Sequence, residues 1–223
     1  ISMTNASPLV APTYANERLL GTNPMCYGFP AGKYPPVIVD MATAAAANGK
    51  LEIAQRANKD VPQGWIQDAA GKSSINPNEL KNGGSLLPLG SDKDHGSHKG
   101  YGLSATVDIL SAVLSGANYG PWVPPFVAFL EPSANPVGEG LGHFFGAMRV
   151  DGFRPAQDFK DHLDNWIERF KGAKTIDPNK KVIIPGEPEH DFEQERKVSG
   201  IPIIDVVVND LNELAAKLEI EGL

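Results

Sequence analysis

Proline and glycine punctuate this chain from end to end. Nineteen prolines and 23 glycines make up close to a fifth of its 223 residues. Each proline removes a backbone donor and fixes φ. Each glycine inside an element costs about 1 kcal/mol relative to alanine. Spread this evenly, they exclude long uninterrupted helices and point to a loop-rich globular fold of short elements. The apolar share, 41%, is enough for a substantial core. There is no internal repeat and no low-complexity tract.

Charge and cysteine usage narrow the function. A net charge of −7 argues against an electrostatic grip on nucleic acid or on an anionic membrane. The single cysteine, Cys26, cannot form an internal disulfide, so a reducing compartment, the cytoplasm, is expected. No apolar run approaches the roughly 20 residues needed to span a bilayer. The sequence opens on Ile1 in mid-pattern, with no charged leader, so a fragment of a longer protein is expected.

Local patterning predicts the elements. Val37-Ile38-Val39 is a short β-branched run ended by Asp40, and the alanine-rich stretch from Met41 to Ala57 favours helix, with Gly49 serving close packing. Asp68-Ala69-Ala70-Gly71 is a turn. Leu103, Thr106, Val107, Leu110, Val113 and Leu114 recur at helical spacing before Ser115-Gly116. His143 to Val150 reads as a strand with His143 partly buried, and Phe159, Leu163, Trp166, Ile167 and Phe170 form a helical stripe stopped by Gly172. Ile203 to Val208 is β-branched and alternates; Asp210 and Glu213 have capping-box spacing ahead of a last helix carrying Leu211, Leu214, Ala215 and Leu218. The change of character places a domain boundary near Asp151.

Several motifs fail. Gly100 to Ala105 spells G-x-G-x-x-A, but no strand leads into it and no acidic residue follows at ribose distance, so a Rossmann half-domain is not supported. Gly90 to Ser97 lacks the Lys-Ser/Thr pair of a P-loop, and no G-x-S-x-G elbow occurs. The groups Asp92, Asp94, His95, His98 and Glu187, Glu189, His190, Asp191 match no metal-ligand spacing and read as solvated charge. Two features keep chemical potential. Glycines at 96, 100 and 102 with His98 and Lys99, just ahead of a helix, form either an anion site or a plain surface loop. Asp40 to Thr43 sits at a strand end; Asp40 either accepts ribose hydroxyls, with Thr43 donating to a phosphate, or caps a helix, and locally the cap is favoured.

A set of blocks in fixed order decides between these readings. They are Thr4-Asn5-Ala6-Ser7-Pro8, Leu20-Gly21-Thr22-Asn23-Pro24, Val39-Asp40-Met41-Ala42-Thr43-Ala44, Pro62-Gln63-Gly64-Trp65, Leu87-Pro88-Leu89-Gly90, Lys99-Gly100-Tyr101-Gly102-Leu103, Gly142-His143-Phe144-Phe145 and Pro185-Gly186-Glu187. Together they resemble the malate/L-lactate dehydrogenase family of the non-Rossmann type, which includes ureidoglycolate, diketogulonate and sulfolactate dehydrogenases. The resemblance implies a two-layer α/β (α+β) fold with a large mixed, mostly antiparallel sheet, flanking helices and a helical C-terminal part. It implies a nicotinamide-cofactor domain over residues 1–150 and a part, 151–223, that packs with an N-terminal domain absent from this sequence.

The activity implied is hydride transfer between NAD or NADP and a 2-hydroxyacid or 2-oxoacid such as malate or L-lactate. By resemblance, Val39, Asp40, Met41, Ala42, Thr43, His98, Lys99, Gly186 and Glu187 contact the cofactor, and Thr22 and Asn23 lie near the substrate. No metal is implied; a homodimer is, and a companion N-terminal fragment is a further expected partner. Ala44 stands where many members carry serine, His98 where many carry an aromatic residue, and Ile183 where arginine is common. The family's catalytic histidine lies in a Ser-His-Gly motif that does not occur here, so it is expected upstream of Ile1. The alternatives are a non-catalytic nucleotide-binding or assembly module of the same fold, and a purely structural domain.

Overall fold

A computed structural model describes all 223 residues, Ile1–Leu223. Contacts divide them into two compact units, Ile1–Trp166 and Ile167–Leu223. Asp151, where the boundary is expected, lies in a 3-10 turn, Val150–Gly152, ahead of helix α3 (Ala156–Lys171), and the division by contacts falls within that helix.

The first unit holds two antiparallel sheets. Strands β1 (Ser2–Thr4), β2 (Met25–Phe29), β3 (Val37–Met41) and β7 (His143–Phe145) form one, in the order β3-β2-β1-β7. Strands β4 (Ile66–Gln67), β5 (Ser73–Ser74) and β6 (Ser85–Leu86) form the other, in the order β5-β4-β6. A parallel bridge between Val10 and Leu86 adds the mixed character. Strands of two to five residues are what chain breaks at this density of proline and glycine allow.

Two apolar clusters hold the unit. Leu9, Val10, Leu20, Ala44, Ala46, Leu51, Val61, Ile66, Leu80 and Leu86 surround the short sheet and helix α1 (Asn48–Arg56). Met3, Met25 and Val107, flanked by Met41, Leu110 and Phe144, join the four-stranded sheet to helix α2 (Ser97–Asp108).

Four local expectations are corrected here. Asp40 does not end its strand: it pairs with Cys26, and Met41 with Met25. The alanine run does not begin a helix at Met41. Residues 42–47 stay irregular, because the Thr43 and Ala45 amides donate to Thr22 and Leu87 carbonyls at 2.9 Å and Ala44 bridges Pro88. Helix propensity is worth only tenths of a kcal/mol per residue, and burial of Ala44 and Ala46 with these pairings overrides it. Asp40 therefore caps no helix; the N-cap of α1 is Ala47. Nor does Gly49 serve close packing, since a Cβ there would meet nothing.

The apolar stripe expected to bury α2 is largely outward. Leu103 is 36% and Leu114 69% exposed, while Gly100, Ser104, Val107, Ser111 and Ala112 face inward. Helix α2 docks through small residues because it presses directly on backbone: a Cβ on Gly100 would collide with the Leu89 backbone O and N. Past Asp108 the helix widens into a π turn, Ile109–Val113. His143 is exposed rather than partly buried, its ring stacked 6.3 Å from that of Phe145.

In the second unit, α4 (Glu187–Ser199) and α5 (Asp205–Leu218) follow the end of α3. Helix α5 starts at Asp205, so the β-branched Val206–Val208 is helical and Asp210 lies in the helix interior. The spacing 204, 207, 211, 214, 218 carries the amphipathic pattern one turn further back, and no partner strand is present for Val206–Val208; this outweighs the small helix penalty of valine.

Candidate functional site

The strand-end segment and the Lys99 helix are parts of one packed knot. The Leu89 amide donates to the Thr43 carbonyl at 2.9 Å, and Gly100 of α2 seats against that same Leu89 backbone. A second connection runs through Asn23. Its Oδ1 accepts from the Ala6 amide at 3.1 Å, its Nδ2 donates to the Ser104 carbonyl at 3.1 Å, and its own carbonyl accepts from the Thr43 hydroxyl at 3.1 Å. The Thr43 hydroxyl also reaches Thr22 O at 3.1 Å. Asn23 and Thr43 are both 0% exposed. Their side-chain polar groups are thus committed to backbone, where they fix the Thr22–Asn23 turn against Thr43 and α2. Asn23 sits at φ +36°, a conformation that asparagine tolerates better than most residues.

This network extends to the far end of α2. The Asp108 carboxylate accepts from Asn5 Nδ2 at 3.2 Å and from the Gly120 amide at 2.9 Å. Asn5 Nδ2 also reaches Asn118 O at 2.8 Å, and Asn5 Oδ1 accepts from the Gly142 amide at 3.0 Å. Burial pushes the Asp108 carboxyl above the usual carboxylate range, against the pull of the Asn5 and Gly120 hydrogen bonds. Sequence reasoning missed Asn5, Ser104, Asp108 and Asn118. Single-sequence patterning treats such residues as surface, and only their shared burial distinguishes them.

On the exposed side of the knot are the groups able to meet a ligand. Asp40 and the first-turn residues His98 and Lys99 are exposed. Helix α2 starts from Gly96 at φ +92° with no side-chain cap and no acidic residue in its first turn. Its positive end is therefore unneutralised. Lys99 folds back over this end: its Nζ lies 4.0 Å from where a Gly96 Cβ would stand. The Ser97 and Lys99 amides already donate to Asp92 O and Gly96 O at 2.8 and 2.9 Å, so it is the helix dipole and the Lys99 ammonium that favour an anion. Of the remaining strand-end residues, Val39 pairs with Tyr27, Met41 packs into the apolar cluster and Ala42 is half-buried.

Gly186 and Glu187 belong to the second unit. Gly186, at φ +90°, is the N-cap of α4. Glu187 Oε2 accepts from the Ile184 amide at 3.0 Å and its Oε1 is ion-paired with Lys171. The Lys171 ammonium, with the Ile184 amide, holds the Glu187 carboxyl below the usual range. Glu187 is therefore an ionised, self-bracing helix start in its own unit.

Comparison with known proteins agrees with this architecture. The sequence profile of the malate/L-lactate dehydrogenase family matches residues 1–212. A malate dehydrogenase of Pyrococcus horikoshii is 40% identical over 224 residues, covering 100% of this chain and 60% of the relative. A malate/(S)-sulfolactate dehydrogenase of Methanothermus fervidus is 36% identical, covering 99% and 60%. Among solved structures, malate dehydrogenase from Entamoeba histolytica superposes with a TM-score of 0.86 at 31% identity, covering 99% of this chain and 61% of that one. The P. horikoshii structure gives 0.82 at 37% identity, covering 100% and 58%. The chain thus spans about 60% of the length of these relatives. With the profile covering nearly all of it and the fold matched over its full length, the chain belongs to the malate/L-lactate dehydrogenase family.

Proposed function

We propose that this chain is the cofactor-carrying part of an NAD(P)-dependent dehydrogenase that interconverts a 2-hydroxyacid and its 2-oxoacid. The observation that carries the reading is the join of Thr43 to the uncapped, lysine-covered start of α2 through Leu89. The relatives named malate and sulfolactate dehydrogenase support the substrate class.

The residues fit a nicotinamide dinucleotide by their donor chemistry. Lys99, His98 and the positive end of the α2 dipole suit the pyrophosphate. The exposed Asp40 carboxylate suits a ribose diol. The nicotinamide, when bound, supplies the hydride acceptor. Thr43 and Asn23, with no free polar group to offer, act as positioning residues: they set the height of the strand end against α2. Thr22 is left as a half-buried wall residue. Proton transfer needs an acid/base beside the reacting hydroxyl. No Ser-His-Gly sequence occurs among these residues, so this reading places the acid/base histidine outside them. In the whole protein, residues 151–223 pack with the N-terminal domain, and two copies form a homodimer in the cytoplasm. No helix here is long and apolar enough to cross a membrane.

The test is a fluorescence titration with NADH and NADPH on the protein and on Lys99→Ala. Saturable binding is expected. Loss of one charge-assisted contact of about 1.5–3 kcal/mol should raise the dissociation constant about tenfold or more. An unchanged constant removes Lys99 from the site; absence of saturable binding by either cofactor to the protein removes the reading.

A further inference from the structure

The four-stranded sheet is notched where β1 starts. Strand β1 lies between β2 and β7 and is only three residues long. Beyond Cys26, the partner of Ser2, strand β2 continues through Tyr27, Gly28 and Phe29. These three pair with Val39, Ile38 and Val37 of β3, on one edge. On the far side of β1, the chain after Phe145 runs without helix or turn to Arg149, which is itself extended (φ −70°, ψ 116°). The two edges flank one strand position, so they stand two strand spacings apart, about 10 Å. Between them is a hollow of about 360 Å³, lined by Ile1, Gly28, Phe29, Met148, Phe153 and Phe159 among others. Its two arginines are turned to partners of their own, Arg149 to Asp151 and Arg154 to Asp158 and His162. The hollow is therefore apolar in character and the width of one extended chain.

The register says what fits. The Thr4 amide donates to Pro24 O at 3.3 Å. Bonded pairs in an antiparallel ladder alternate, so on this edge of β2 they fall at Pro24, Cys26 and Gly28. On the other edge, Ile1 and Gly146 exchange bonds of 2.9 and 3.0 Å, so the next bonded position is Met148. Gly28 and Met148 are both exposed. A residue placed just before Ile1 meets the Gly28 amide and carbonyl, and the one before that meets those of Met148. The latter shares a face with Ile1 and Met3, which pack with Met25 and Val107, so an apolar side chain belongs there.

We propose that the notch seats the segment preceding Ile1 in the longer protein, about three residues that extend β1 as a central strand between β2 and β7. This rests on the reading that an N-terminal domain precedes these residues, and it gives that domain its point of entry into the sheet. The relatives, of whose length this chain spans about 60%, have the sequence to supply it.

The test adds Thr-Val-Thr ahead of Ile1 and follows amide exchange of the ¹⁵N-labelled chain by NMR. Exchange at Gly28 and Met148 should slow about tenfold or more relative to the chain without the addition. Thr-Val-Pro, whose proline lacks the donor and does not fit a central strand, should slow it less than about twofold. The proposal is overturned if Thr-Val-Thr leaves both amides unchanged, or if Thr-Val-Pro protects them equally. Protection that appears in the chain without the addition and grows with its concentration also overturns it, because a second copy then fills the notch. A native protein whose mass equals that of these 223 residues overturns it as well. Failure of NADH to bind would leave the exchange result standing, so the strand and cofactor readings fail separately.

Discussion

Replacing Asn23 with alanine removes the central pin of the knot, and the loss can be worked out contact by contact. The Ala6 amide, which donates to Asn23 Oδ1 at 3.1 Å, loses its partner in a fully buried position; an orphaned buried donor costs about 1–3 kcal/mol. The Ser104 carbonyl loses the Asn23 Nδ2 donor at 3.1 Å, about 1 kcal/mol for a neutral pair. Alanine must also hold φ +36°, a left-handed backbone that costs an ordinary residue about 1–2 kcal/mol. Together these come to about 3–6 kcal/mol, a large part of the stability of a small protein. Urea denaturation monitored by circular dichroism measures it, with Asn23→Gly as the companion. Glycine restores the backbone freedom but neither hydrogen bond, so it should be about 1 kcal/mol more stable than alanine. An Asn23→Ala variant within about 1 kcal/mol of the parent, or a glycine variant below alanine, would refute the pin.

Other substitutions probe neighbouring links. Gly100→Ala drives a Cβ into the Leu89 backbone and should destabilise the chain by about 2 kcal/mol or more, against a gain of less than 1 if the contact were slack; thermal unfolding decides. Asp164 accepts from the Gly32 and Lys33 amides at 3.0 and 2.9 Å. Burial pushes its carboxyl up, but those amides, that of Tyr34 and the Lys33 ammonium outweigh it and hold the carboxyl below its ordinary value. Its contribution is therefore complete above the unfolded value of about 3.9 and is lost as pH falls through the lower folded value. Asp164→Asn should flatten that acid limb of the stability curve, and an unaltered limb would show that the clamp is inert. Asp108 has the opposite sign: burial raises its folded value, so acidification through that value should relieve strain. Asp108→Asn should remove this gain, read as the change of melting temperature with pH.

Much of the architecture was legible because it depends on patterns within a few residues. The Asp68–Gly71 turn forms, with the Gly71 amide donating to Asp68 O at 3.0 Å, and the Phe159–Phe170 stripe lies within α3. Two of the errors have one cause: partners distant in sequence overrode local preference. The alanines after Met41 are kept out of a helix by Leu87 and Pro88, and α2 turned its small face inward because Leu89 backbone sits there. At the site, the exposed Asp40, His98 and Lys99 stood out by type and motif. Thr43 and Asn23, expected as ligand contacts, have their side-chain polar groups tied to backbone. Nothing local distinguishes a threonine that donates to a phosphate from one that donates to a turn.

Hydrogen–deuterium exchange with and without NADH examines the cradle itself. Saturating cofactor should slow exchange at Val39–Thr43 and at His98–Gly100 together, with the same concentration dependence. Protection confined to one of these segments, or spread elsewhere with both untouched, would contradict a dinucleotide held between them.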